Sequence, residues 1–218
     1  MRSERTKKLA ILAVLSAIAY VLMVFIRIPV VLFLSYEPKD VIIAIGGFLF
    51  GPLAAAAMSV VVALVEMVTV STTAYYGAIM NALSSCTFAC TAAIIYKKWH
   101  KLPGAAIGLL GGIVITVPVM LLWNYLIVPL YAGWPREDVA RMLVPYFLPF
   151  NLLKYGLSAA ITMLIYKPLR IALDKSRLLP VSSVPAAKPA KINIGVIVVS
   201  VFVIATCVLF ILSYRGII

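Results

Sequence analysis

Charge is scarce in this sequence. Only 12% of its 218 residues are charged and 64% are hydrophobic, whereas soluble globular domains carry about 25% charged residues. A water-facing surface cannot be built from so few charged side chains. We therefore expect an integral membrane protein, and at about 20 residues per crossing the length allows six or seven spanning helices.

Histidine and cysteine are also rare, with one His and three Cys. His100 lies in a charged loop, and Cys86, Cys90 and Cys207 lie inside apolar runs, so we expect the cysteines to pack rather than to bind metal. The phosphate-binding loop of ATPases, the His-Glu-x-x-His motif and the Gly-x-Ser-x-Gly motif are missing as well. The sequence thus predicts no enzyme, no metal site and no cofactor.

The apolar runs are long and lack the alternation of barrel strands, which favours an all-α membrane protein. We predict a six-helix membrane domain over residues 1–175, a Pro-rich linker over residues 176–191, and an additional transmembrane helix over residues 192–213. The polar segments 27–40 and 131–141 are predicted as loops. The predicted apolar segments are Lys8–Phe25, Val41–Phe50, Leu53–Val70, Ala78–Tyr96, Gly104–Leu130, Val144–Tyr166 and Ile192–Leu212.

The net charge of +12 would suggest nucleic acid in a soluble protein, but the basic residues cluster in short segments between apolar runs. Cytoplasmic loops of membrane proteins are enriched in Lys and Arg. With the N-terminus inside, thirteen of the 19 Lys and Arg residues are cytoplasmic and five lie outside. We therefore predict a multi-pass membrane protein with a cytoplasmic N-terminus, an external C-terminus and no nucleic-acid partner.

Four polar residues lie inside apolar segments, where a charge costs at least about 2.5–3.5 kcal/mol. They are Asn81, Asn124, Asn151 and Lys154. With this orientation all four fall at a similar depth in the outer half of the bundle. Asn offers both donors and an acceptor, so together they predict a site for a polar planar heterocycle. The alternatives are hydrogen bonding between helices and pairing of Lys154 with Glu66.

Two further features suggest contacts. The polar patch Leu34–Asp40 is either a lid over the cavity, with Tyr36 stacking on a ring and Glu37 beside the substrate, or an ordinary solvated loop. Ala13 and Ala17 are small residues four apart, which allows close approach of another helix. That helix belongs either to this chain or to another subunit.

Three stretches resemble the substrate-binding (S) components of energy-coupling factor (ECF) vitamin transporters. The resemblance covers about residues 8–172. Ile45–Ala54 resembles several S components, whereas Asn124–Tyr131 and Pro149–Lys154 are more similar to the riboflavin branch. The sequence departs from the family near Asn81, where an acidic residue common in the family is replaced by Ala78, and the linker and last helix lie outside the six-helix pattern.

The resemblance implies a protein of the bacterial cell membrane whose six-helix bundle holds a vitamin near the outer face, under the loop after the first helix. It implies that Asn124, Asn151 and Lys154 contact riboflavin, and that Ala13 and Ala17 contact a transmembrane coupling subunit. Two ATPase subunits would supply the energy. Alternatives are an S component for another vitamin, such as thiamine or a pantothenate-like acid, and a membrane scaffold without transport.

Overall fold

The computed structural model of the chain describes residues 2–71, 73–175 and 194–214. Eight α-helices, a two-stranded hairpin and one π-helical turn make up these residues. The linker predicted at 176–191 lies outside them. In chain order the elements are α1 Arg2–Phe25, β1 Ile28–Val31, β2 Leu34–Tyr36, α2 Lys39–Phe50, α3 Pro52–Thr69, α4 Ala74–Lys98, α5 Leu102–Ala132, α6 Arg136–Met142, the π-turn Leu143–Phe147, α7 Leu148–Lys175 and α8 Ile194–Tyr214.

Six helical segments of the described chain are long and apolar enough to cross a membrane, which agrees with the predicted all-α membrane fold. They are α1, α3, α4, α5, the run from α6 through α7, and α8. The predicted second segment forms α2, which has 12 residues and is too short to span about 30 Å of hydrocarbon. Instead α2 lies in the middle of the bundle, with eleven of its residues buried.

The backbones of α4 and α5 approach each other closely, and small residues make this approach possible. A Cβ atom at Gly108 would lie 2.6 Å from the Ala92 carbonyl oxygen, and one at Gly112 would lie 2.9 Å from that of Phe88. Any larger residue would therefore separate the backbones. In lipid there is no hydrophobic driving force between helices, so their association relies on close packing, which small residues allow.

The polar segments between helices contain more secondary structure than the sequence predicted. Residues 27–40 are not a loop: Ile28 and Tyr36 pair at the open end of an antiparallel hairpin, and Lys39 and Asp40 begin α2 in a buried position. Residues 131–141 contain helix α6, which has acidic residues in its first turn and a basic residue in its last. That arrangement matches the helix dipole.

Candidate functional site

A cavity opens at the end of the bundle that carries the hairpin. Its walls come from the hairpin and from helices α3, α4, α5 and α7. Asn81, Asn124, Asn151 and Lys154 all line it, together with Glu37. The structure thus brings the four intramembrane polar residues to one cavity. Its apolar wall includes Phe33, Met80, Met120, Phe150 and Tyr155.

Two of the asparagines are fixed by their own helices. Asn124 Nδ2 donates to the Met120 carbonyl at 2.6 Å, and Asn151 Nδ2 donates to the Phe147 carbonyl at 2.7 Å. Both side chains are buried. Asn124 Oδ1 accepts no hydrogen bond from the residues that the structure describes. An unpaired buried acceptor is costly, and here it lies beside a cavity where a ligand N–H or O–H would satisfy it.

Lys154 pairs with Asp40 at the start of α2. The Nζ and Oδ2 atoms are 3.4 Å apart, and both side chains are buried. Asp40 Oδ1 also accepts a hydrogen bond from the Ser85 hydroxyl. The ammonium group is therefore held at the cavity wall with its charge balanced.

A second set of ion pairs connects the hairpin to α3 and α4. Lys39 Nζ lies 2.6 Å from Glu66 Oε2 and 2.8 Å from Glu37 Oε2. Arg27 Nε lies 3.3 Å from Glu37 Oε1, and Asn81 Nδ2 donates to Glu66 Oε1 at 2.8 Å. Glu66 therefore pairs with Lys39 and not with Lys154, because Lys39 enters the bundle at the start of α2.

The charges at the cavity cancel. Among the described residues there, Arg27, Lys39 and Lys154 face Glu37, Asp40 and Glu66, and each cation contacts a carboxylate. A site of this kind binds through directed hydrogen bonds, because a charged ligand would leave an unbalanced charge in a desolvated cavity. The arrangement suits a neutral ligand with many polar edge atoms and at least one flat apolar face.

Sequence reasoning missed Lys39 and Asp40, which pair with the cavity residues Glu66 and Lys154. They directly precede the apolar run of α2 and therefore look like a solvated boundary. A Lys-Asp pair at the start of a helix too short to span the membrane is the signal that could have found them. Such a helix must lie inside the bundle, and its first turn is buried with it.

Tyr36 does not line the cavity. It packs with Val30 on the hairpin, Phe150 and Leu153 on α7, and Ile211 on α8. Burial raises the pKa of its phenol to about 12, so the side chain stays neutral. At the turn of the hairpin, Phe33 contacts the rings of Tyr131, Trp134 and Phe147.

The predicted helix-contact residues lie on another surface. Ala13 and Ala17 are exposed and line an apolar groove between α1 and α3, together with Tyr20, Val61 and Val65. The groove has a volume of about 460 Å³, which is room for side chains of another helix. Within the described residues nothing fills it.

The chain was compared with known proteins. The family model described as "ECF transporter, substrate-specific component" matches residues 7–166. The riboflavin transporter RibU of Staphylococcus aureus is 29% identical over 78% of this chain and 93% of its own length. The riboflavin transporter FmnP of Bacillus subtilis is 27% identical over 79% and 97%. A solved structure of the S component of a bacterial ECF transporter matches with a TM-score of 0.66 and 28% identity, over 78% of this chain and 98% of that one.

Proposed function

The chain belongs to the family of substrate-specific components of ECF transporters, and on that premise we propose that it is the riboflavin-binding subunit of a vitamin importer. The family consists of transport components and not enzymes. Relatives named as riboflavin transporters support the choice of vitamin. The observation that carries the proposal is the charge-balanced cavity lined by Asn81, Asn124, Asn151 and Lys154.

Charge balance favours riboflavin over the alternative vitamins. Riboflavin is neutral, and its isoalloxazine ring offers carbonyl oxygens, ring nitrogens and an N–H along one edge. Lys154 and the amide of Asn151 would meet that edge, and the open acceptor Asn124 Oδ1 would take a ligand proton. Thiamine is a cation and pantothenate an anion, so either would need an unpaired protein charge. Each such charge is costly in a desolvated site.

The direction of transport and its energy source belong to the same proposal. With the N-terminus inside, the hairpin end of the bundle faces outward, so the cavity would capture the vitamin there. The apolar groove of Ala13 and Ala17 would contact a transmembrane coupling subunit, and two ATPase subunits would drive delivery inward. The bilayer surrounds the remaining apolar helix faces.

The first test is spectroscopic. Protein purified in detergent is expected to quench the fluorescence of added riboflavin at a one-to-one ratio and to release any co-purified flavin on denaturation. Thiamine and pantothenate should not compete. A protein that leaves riboflavin fluorescence unchanged, or that gives up riboflavin to either competitor, would overturn the choice of vitamin.

Variants then test the site. Asn124→Leu and Asn151→Leu should each weaken riboflavin binding by about fivefold or more, since a lost hydrogen bond to a buried group costs about 1–3 kcal/mol. Lys154→Met is combined with Asp40→Asn so that no unpaired carboxylate remains. The matched control is Thr162→Val: Thr162 is buried on α7 and bonds only its own helix, to the Ser158 carbonyl at 2.6 Å. If the three site variants bind riboflavin as tightly as the control Thr162→Val, the assignment is disproved.

A further inference from the structure

The last helix, α8, lies outside the family match, which ends at residue 166. It is nevertheless not a free anchor. One stripe of α8 faces the protein: Ser200 and Ile211 are buried, and Ile204 and Cys207 are partly buried. The opposite side is open, with Phe202 70% exposed and Leu209 56% exposed. A spacing of three to four residues is that of a single helix face.

This stripe contacts the hairpin as well as α7. Ile211 is 6% exposed and belongs to one apolar cluster with Val30 and Tyr36 of the hairpin and Phe150 and Leu153 of α7. Phe150 and Leu153 directly precede the cavity residues Asn151 and Lys154 in the sequence. Phe150 itself lines the cavity. The cluster therefore connects α8 to the hairpin and to the helix that presents the ligand contacts.

A hydrogen bond at the end of α8 reaches the π-turn that leads into α7. The Tyr214 hydroxyl donates to the Pro145 carbonyl at 2.6 Å. Four residues after Pro145, position 149 is also a proline and has no N–H to give to that carbonyl. Tyr214 thus supplies a donor to the π-turn, from which α7 continues to Asn151 and Lys154.

We propose that α8 stabilises the hairpin in its closed position over the cavity and thereby slows release of the bound vitamin. The proposal rests on the proposed function for the identity of the ligand. Two strands alone are marginally stable, so the hairpin depends on what packs against it. It has the aromatic contacts of Phe33 at its turn and the apolar cluster around Ile211 along its strands. Contacts made only in the closed state lower the population of the open one.

The test uses the full chain and two variants of the α8 face, Ile211→Ala and Tyr214→Phe. Leu209→Ala is the matched control, because it removes a similar side chain from the lipid-facing side. Amide hydrogen exchange of residues 28–36 is measured without ligand, and riboflavin release is followed by recovery of fluorescence. We expect exchange and release to become about three- to tenfold faster in both variants, which corresponds to about 0.7–1.4 kcal/mol, and to stay unchanged in the control.

Each outcome decides a separate point. Unchanged hairpin exchange in Ile211→Ala and Tyr214→Phe would overturn the proposal, and so would equal changes in Leu209→Ala. Faster exchange with unchanged release would overturn the effect on the vitamin. If the unmodified protein binds no riboflavin, the proposed function fails, and hairpin exchange alone then decides whether α8 stabilises the closed hairpin.

Discussion

Lys39 is at the centre of the buried ion pairs. Its ammonium group contacts two carboxylates, those of Glu37 and Glu66, and its side chain is 1% exposed. Glu37 belongs to the segment after the hairpin and Glu66 to α3. One cation therefore balances carboxylates from two elements. Its removal leaves both carboxylates buried, with Arg27 in contact with Glu37 and Asn81 in contact with Glu66.

We predict that Lys39→Met lowers the free energy of unfolding by about 3–5 kcal/mol, because breaking a buried pair leaves uncompensated charge. Thermal unfolding in detergent measures the change. The double variant Lys39→Met/Glu66→Gln should recover part of the loss, since it removes one of the stranded charges.

The control for this prediction is the exposed pair of Lys7 and Glu4, 3.7 Å apart on α1. Lys7→Ala should change stability little, as expected of surface ion pairs. If Lys39→Met unfolds at the temperature of the unmodified protein, the ion pairs around Lys39 do not stabilise the fold.

At the scale of elements, the sequence predicted the long helices and the short helix α2, and it missed the hairpin and α6. Continuous apolar runs predict the spanning helices, because a helix satisfies the hydrogen bonds of its backbone N–H and C=O groups within its own segment, where lipid offers no partners. The charges of α6 and of residues 27–40 instead suggested solvated loops. In α6 those charges match the helix dipole, and at Lys39 and Asp40 they pair inside the protein.

The same physics explains which site residues could be predicted. Asn124, Asn151 and Lys154 stand out because each interrupts an apolar run. Asp40 does not, since it lies at a boundary where charge is normal, and only the packing of α2 into the bundle buries it. Where tertiary contacts bury a residue, the residues next to it in the sequence give no warning, and here only the shortness of α2, which has 12 residues, indicates burial.

The hairpin turn carries a testable strain. Leu32 has a φ of +51°, a region that costs a residue with a Cβ about 1–2 kcal/mol relative to glycine. Leu32 is 50% exposed, so little burial is lost on its replacement. We predict that Leu32→Gly slows amide exchange of residues 28–36, whereas Leu32→Val speeds it because a β-branched side chain tolerates positive φ least.

The pair of Leu32 variants is its own control, since both shorten the side chain and only the backbone preference differs. A difference of about tenfold between their exchange rates is expected, equivalent to about 1.4 kcal/mol. Equal rates would mean that the turn does not limit opening of the hairpin.

On the scale of the whole molecule, the polar cavity and the apolar groove are separate surfaces. The polar cavity lies at the hairpin end between α3, α4, α5 and α7, whereas the apolar groove runs between α1 and α3. Helix α3 belongs to both, contributing Glu66 to the cavity and Val61 and Val65 to the groove. If the groove holds a coupling subunit, vitamin capture and energy coupling can be impaired independently.

We therefore predict that Ala13→Trp and Ala17→Trp abolish energised riboflavin uptake by cells and leave the affinity of the purified protein within about twofold, because the bulky ring fills a groove that a partner helix needs. Val14→Trp is the control: Val14 is 58% exposed and does not line the groove. Uptake is measured with labelled riboflavin and affinity by fluorescence quenching.

A joint loss of uptake and affinity would show that the alanines serve packing within this chain. Retained uptake in both variants would place the coupling contact on a different face, because a partner that tolerates an indole at either position cannot lie against the groove.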